Sequence, residues 1–162
     1  GEFMCAMYGR AHGFDTMIAR LFAFVGPLLP LHAHYAAGNF IADALRGGPI
    51  RIGGDGTPRR SYLYAADLAV WLWTILLRGR PAHPYNVGSP QEISIEELAR
   101  TVARVAAPGI AVEIAGRAIP GTPPLRYVPS TRRAEDELGL RPVITLEDSV
   151  RRTLASHRAD GT

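Results

Sequence analysis

Gly53-Gly54-Asp55-Gly56-Thr57-Pro58-Arg59-Arg60-Ser61-Tyr62-Leu63-Tyr64-Ala65-Ala66-Asp67-Leu68-Ala69 is the stretch whose reading decides the fold. Three glycines and Asp55 mark a tight turn. The arginine pair follows, and Arg60 to Tyr64 has the period-two spacing of an extended strip, with Tyr62 and Tyr64 on one face as core or base-stacking surface. Helical apolar spacing then takes over, and Asp67 is placed to act as an N-cap through its carboxylate. A helix is expected from Leu68 to Leu77, with Trp71 and Trp73 as packing residues. Turn, strand and helix in this order point to the α/β class.

Working outward, Pro49 to Ile52 reads as a short strand. Ala36 to Leu45 reads as a helix with Phe40, Ile41, Ala44 and Leu45 on one side, stopped by Gly47-Gly48. Met17 to Phe24 is rich in β-formers and reads as a strand buried on both faces, as in a parallel sheet. Residues 2–11 read as a helix with Gly13 as its stop. Downstream, Pro84 to Val87 is a second short strand. Ser94 and Glu97 form a capping box that opens a helix running to about Ala106. Ala111 to Ile114 is a brief strand, and residues 117–124 are a Gly/Pro-rich loop. Ser130 or Thr131 caps a helix through Leu138, ended by Gly139. Leu146 to His157 is a final amphipathic helix, and 159–162 is a frayed tail. Two central strands do not make a stable doubly wound sheet. They are therefore expected to be the last strands of a larger one.

The 162 residues are 47% hydrophobic, one domain's worth of chain. Net charge is +3, and all 18 basic residues are arginine. Arginine suits bidentate phosphate recognition, although a coding bias toward Arg and Ala accounts for the same composition. The arginines are scattered, which argues against a nucleic-acid partner. No run of about 20 apolar residues suggests a membrane span, and no basic–apolar–small pattern suggests a secretory signal. Cys5 is the single cysteine, which excludes an intrachain disulfide and favours a reducing, cytoplasmic setting. His32 and His34 lie i,i+2 in a loop without a third ligand in view, so no metal site is expected.

Four stretches together resemble the C-terminal half of the NAD-dependent epimerase/dehydratase family, the extended short-chain dehydrogenase/reductases that act on nucleotide sugars. They are Ala19 to Pro27 (Ala-Arg-Leu-Phe-Ala-Phe-Val-Gly-Pro), Gly48 to Ala69, Tyr85-Asn86-Val87-Gly88-Ser89, and Thr131 to Pro142 with Glu137-Leu138-Gly139-Leu140. The fold this implies is the C-terminal substrate-binding portion of an extended Rossmann-type enzyme. Residues 1–26 and 67–89 would form the last elements of its parallel sheet, and 27–66 and 90–158 a small α/β substrate lobe.

The resemblance implies roles residue by residue. Arg60 stands where the family's arginine holds the nucleotide diphosphate, and Asn86 matches an asparagine beside it. Arg126 matches a late arginine that closes over the phosphates. Asn39 falls on a helix laid across the nucleotide, and Ile50 and Ile52 bracket the segment that packs against the base. Each has a plainer reading: an exposed arginine for Arg60 and Arg126, a backbone-satisfying amide for Asn86, a polar helix face for Asn39, strand core for the isoleucines. Arg59 is expected to point away from Arg60 into solvent. Ala23 departs from the asparagine of many members, which puts the substrate's identity in doubt.

The family's glycine-rich NAD turn and its catalytic Tyr-x-x-x-Lys are not in this sequence, which contains no lysine. Helix 2–11 resembles the tail of the helix that carries that pair. The expectation is a fragment with no catalytic or cofactor-binding residues of its own. NAD would serve the full-length parent, a UDP- or dTDP-sugar would be the substrate, and tight NAD binding by the fragment is not expected. Homo-oligomerisation is expected. The alternative is a non-catalytic nucleotide-sugar binder or self-associating assembly module.

Overall fold

A computed structural model describes residues 1–33 and 35–159. In chain order the elements are α1 (Glu2–His12), β1 (Ile18–Leu21), β2 (Phe24–Val25), α2 (Ala36–Leu45), β3 (Ile50–Ile52), β4 (Arg59–Arg60), β5 (Leu63–Tyr64), α3 (Ala65–Arg78), β6 (Pro84–Val87), β7 (Ile93–Ser94), α4 (Ile95–Ala106), β8 (Val112–Ile114), β9 (Arg126–Tyr127), α5 (Arg132–Leu138) and α6 (Leu146–Ala159). Parallel pairs join β1 to β6, β2 to β5 and β3 to β8, and β4 lies between antiparallel β7 and parallel β9. The α/β class read from the sequence holds.

The larger core is built by α2, α4 and α6 around β3. Ile41, Ile50, Leu98, Val102 and Val150 are almost wholly shielded there. Helix α4 supplies the clearest reason. Its buried residues Leu98, Ala99, Val102, Ala103 and Ala106 follow helical spacing on one face. The expected capping box closes its N-terminus, with Glu97 N donating to Ser94 Oγ (3.0 Å) and Ser94 N donating to Glu97 Oε2 (2.6 Å). Each large aliphatic side chain buried in this way contributes roughly 1.5–3 kcal/mol. A smaller core gathers Trp71 and Ile75 of α3, Tyr85 and Val87 of β6, and Ala134 and Leu138 of α5. Within it Tyr85 Oη donates to Glu137 Oε2 (2.8 Å) and accepts from Arg80 N (3.2 Å). That bond lowers the Glu137 pKa, while burial raises that of Tyr85.

Four expectations are corrected. The Met17–Phe24 run is one extended segment that serves two strands: β1 lies on β6, and the chain then transfers to β5, with Leu63 N donating to Ala23 O (3.1 Å). It is not buried on both faces. Leu21 of β1 and Phe24 of β2 are exposed, because no described element fully covers the faces they point to. Asp67 is not the N-cap of α3, which begins at Ala65 with Tyr64 as its cap residue. Its buried carboxylate instead accepts from Val143 N (3.1 Å) and Ile144 N (3.0 Å), clamping the segment before α6 to α3. Trp71 packs as expected, but Trp73, half a turn away, is 64% exposed. Thr131 takes the N-cap position of α5 without a side-chain hydrogen bond, and Gly139 ends that helix in the left-handed region (φ 69°).

Helix α1 buries no residue and is tied to β1 by the two-pronged Glu2–Arg20 ion pair, both bonds 2.7 Å. The final helix runs to Ala159. His34 and the tail residues 160–162 lie outside the described residues. Among those described, no helix is long and apolar enough to cross a membrane, and no group of three His, Cys, Asp or Glu could hold a metal ion.

Candidate functional site

The turn before the arginines is held by its own side chains. Asp55 Oδ1 accepts from Thr57 N (3.0 Å) and Thr57 Oγ1 (2.9 Å), and the Thr57 bonds hold its carboxyl below the usual range. Gly56 takes φ +77°, which favours glycine there. Backbone bonds from Glu96 N to Gly56 O (3.0 Å) and from Ile95 N to Pro58 O (3.0 Å) fasten the turn to the start of α4. The strand leaving this turn therefore has a fixed direction.

Strand register then sorts the arginines. Arg59 lies opposite Arg126 and Arg60 opposite Tyr127 in the parallel β4–β9 pair. Facing residues in such a pair share a face. On one face Arg59 Nη1 donates to Glu97 Oε2 (3.2 Å), with Glu92 Oε1 at 3.9 Å, and Arg126 Nε donates to Glu92 Oε2 (2.6 Å). Arg59 points away from Arg60 as expected but is ion-paired rather than simply solvated. On the other face Arg60 has no carboxylate partner among the described residues. Its Nη1 donates to Arg59 O (2.8 Å), and its Cζ sits 5.8 Å from the centroid of the Tyr127 ring.

The Arg60 face continues without a break. The Tyr127 and Phe22 rings are 4.8 Å apart at 32°. Phe22 and Gly88 follow directly on β1 and β6, and a Cβ at position 88 would stand 2.8 Å from Pro129 Cγ and 3.1 Å from Phe22 Cβ. Only glycine lets these segments close together. Asn86 Nδ2 donates to Ser130 O (2.9 Å), so its amide secures the segment entering α5. Arg60, Tyr127 and Phe22 thus form a continuous cluster at the carboxyl end of β1, and Asn86 stands one residue before the end of its partner β6. Open α/β sheets bind ligands outside those ends.

The other candidates lie elsewhere. Asn39 and Ile52 meet in a cavity of about 310 Å³ with Phe40, Arg51 and Gly53. Ile50 is wholly buried core. A larger cavity of about 640 Å³ opens on the Arg59 face, between the 53–58 turn and the 116–125 loop. Neither cavity is lined by Arg60, Asn86 or Arg126. Tyr62 packs against the larger core, and its phenol is pushed up to about 12 by burial. Tyr64 is buried, with Arg152 Cζ 5.7 Å from its ring centroid. The sequence reading passed over Tyr127 and Phe22, because cross-strand register between β4 and β9 was needed to find them.

The junctions into α3 and α4 lack the open turn that a dinucleotide pyrophosphate needs. Entry to α3 runs straight from Tyr64 without glycine, and at the start of α4 the N–H groups of Ile95, Glu96 and Glu97 donate to Pro58 O, Gly56 O and Ser94 Oγ. A pyrophosphate cradle needs an open glycine turn at such a junction.

A family model described as "NAD dependent epimerase/dehydratase family" matches residues 1–88. UDP-glucuronic acid decarboxylase 1 of Xenopus tropicalis is 31% identical over 159 residues, covering 98% of this chain and 37% of that protein. Among solved structures, the dTDP-glucose 4,6-dehydratase DesIV of Streptomyces venezuelae, with NAD and TYD bound, is similar at TM-score 0.80 and 26% identity, covering 98% of this chain and 48% of that one. The UDP-glucose 4-epimerase of Thermotoga maritima shares the fold at TM-score 0.86 and 20% identity, covering 99% and 52%. The chain therefore spans just over a third of the decarboxylase and about half of the two solved chains.

Proposed function

We propose, from the premise that this chain belongs to the NAD-dependent epimerase/dehydratase family, that it supplies the nucleotide-sugar-binding half of such an enzyme. The observation that carries this reading is Arg60. Of the three arginines in the β7–β4–β9 sheet, it alone has no carboxylate among the described residues. It also lies at the strand ends where a ligand is expected. A guanidinium fork left free in this way matches the paired oxygens of a diphosphate. Asn86 borders the same patch, and Asn39 with Ile52 offers an apolar-walled recess for a base. Ile50 serves this recess from the core behind it. Arg126 stands on the opposite face with Arg59, held by Glu92, and takes no part in this reading.

The redox step of the parent is assigned to a segment outside these 162 residues, since neither a glycine turn nor a Tyr-x-x-x-Lys is present. Hydride chemistry would be supplied by NAD held on that segment of the parent. This chain's own contribution is to hold and orient the sugar nucleotide. The chain alone is expected neither to bind NAD tightly nor to turn over, and stoichiometric NAD reduction with a nucleotide sugar would overturn that.

Calorimetry with UDP and dTDP tests the binding role. Arg60→Ala is expected to lose about tenfold or more in affinity against the unaltered chain, and equal affinities would refute the reading. A second reading, self-association, is favoured by the exposed side chains Phe3, Met4 and Met7 on α1 and Val70, Trp73 and Leu77 on α3. Apolar faces of this kind mark contact surfaces, and sedimentation across a concentration series checks it.

A further inference from the structure

We propose that Tyr127 is a positioning residue for Arg60: its ring holds the guanidinium in place so that the remaining donors face a diphosphate. This rests on the nucleotide-sugar-binding reading and adds to it a residue that no family motif quoted above singles out. Two contacts restrain Arg60, and neither neutralises it. Nη1 is engaged by Arg59 O at 2.8 Å, and Cζ lies 5.8 Å from the centroid of the Tyr127 ring. A guanidinium stacked on an aromatic face keeps its edge donors available.

Tyr127 is itself fixed from two directions. The β4–β9 register sets it opposite Arg60, and Phe22 backs its ring at 4.8 Å. Phe22 is held in turn by Phe22 N donating to Val87 O (3.0 Å) and by the close approach at Gly88. The ring therefore ties the arginine's position to the ends of both parallel strands. Ordering a long side chain before the ligand arrives removes part of the entropy cost of binding. Arg126 on the opposite face shows the other outcome, a guanidinium ordered by a carboxylate and so unavailable to an anion.

The test compares the full chain with Tyr127→Leu, Tyr127→Phe and Arg60→Ala, each titrated with UDP and with uridine. Tyr127→Leu should weaken UDP about fivefold and leave uridine unchanged, and Tyr127→Phe should bind as the parent does. A general packing defect would weaken both ligands alike, which would overturn the proposal. So would Tyr127→Leu binding UDP within about twofold of the parent while Arg60→Ala loses tenfold. If Arg60→Ala itself changes nothing, the binding reading fails, and a second measurement still decides positioning. Proton NMR of the free chain should show the Arg60 Cδ protons shifted upfield by the ring, with the shift lost in Tyr127→Leu and kept in Tyr127→Phe. An unshifted Arg60 in the parent would overturn the proposal.

Discussion

Helices α2 and α3 are almost equally apolar, yet they end in opposite states. Helix α2 buries Ala37, Gly38, Phe40, Ile41, Ala42 and Ala44 out of ten residues. Helix α3 buries only Asp67, Trp71 and Ile75 out of fourteen. The difference lies in what surrounds them. Helix α2 packs against α4, α6 and β3, all from this chain. Helix α3 covers β6 and α5 with one face and leaves Val70, Trp73 and Leu77 outside. Helix α1 buries nothing, and among the described residues β1 has a partner on one edge. Apolar composition therefore marks a face that gains from burial without saying what buries it. The Arg60 patch lies at the ends of β1 and β6, on the less enclosed side of the molecule.

The largest expected effect tests the finished side. Leu98→Ala, at a fully shielded position, should cost about 2–5 kcal/mol in denaturant unfolding. A cost under 1 kcal/mol would mean that this core is loose and the contrast false. Asp67→Ala comes next, at roughly 1–3 kcal/mol, since it leaves the N–H groups of Val143 and Ile144 without their acceptor. A null result would show that the clamp adds nothing beyond the packing.

Tyr62 sharpens the comparison through pH. Its folded pKa is raised from 10.0 to about 12, so its contribution is complete below pH 10 and is lost as pH rises from 10 to 12. Unfolding free energy should fall by about 2 kcal/mol across that window, and Tyr62→Phe should flatten the fall. The smallest effect belongs to the open side. Trp73→Ser should change stability by less than about 0.5 kcal/mol while reducing self-association in sedimentation. A cost comparable to that of Leu98→Ala would break the comparison outright.

Local chemistry was legible in the sequence wherever a few neighbouring residues decide it. The Ser94–Glu97 capping box, helix 36–45, strand 84–87 and the stop at Gly139 all follow from short-range rules and are found as read. The misreadings share one cause. Asp67 had the chemistry of a cap, but its true partners lie 76 and 77 positions away. The 17–24 run had a buried strand's composition, but burial requires other elements packed over both faces, and those come from distant parts of a chain. At the site, the separation of Arg59 from Arg60 followed from strand alternation. The placing of Arg126 with Arg59 and of Tyr127 with Arg60 did not, because parallel register between distant strands leaves no mark in either one.

The central claim is that the Arg60 face, rather than the Arg59 face, receives the diphosphate. Amide and side-chain NMR of the chain titrated with UDP tests this most directly. The account predicts saturable shifts at Arg60, Tyr127, Phe22 and Asn86, with Arg59, Glu92, Glu97 and the 116–125 loop unmoved. Shifts confined to Arg59 and that loop, or no saturable shift at Arg60, would contradict it.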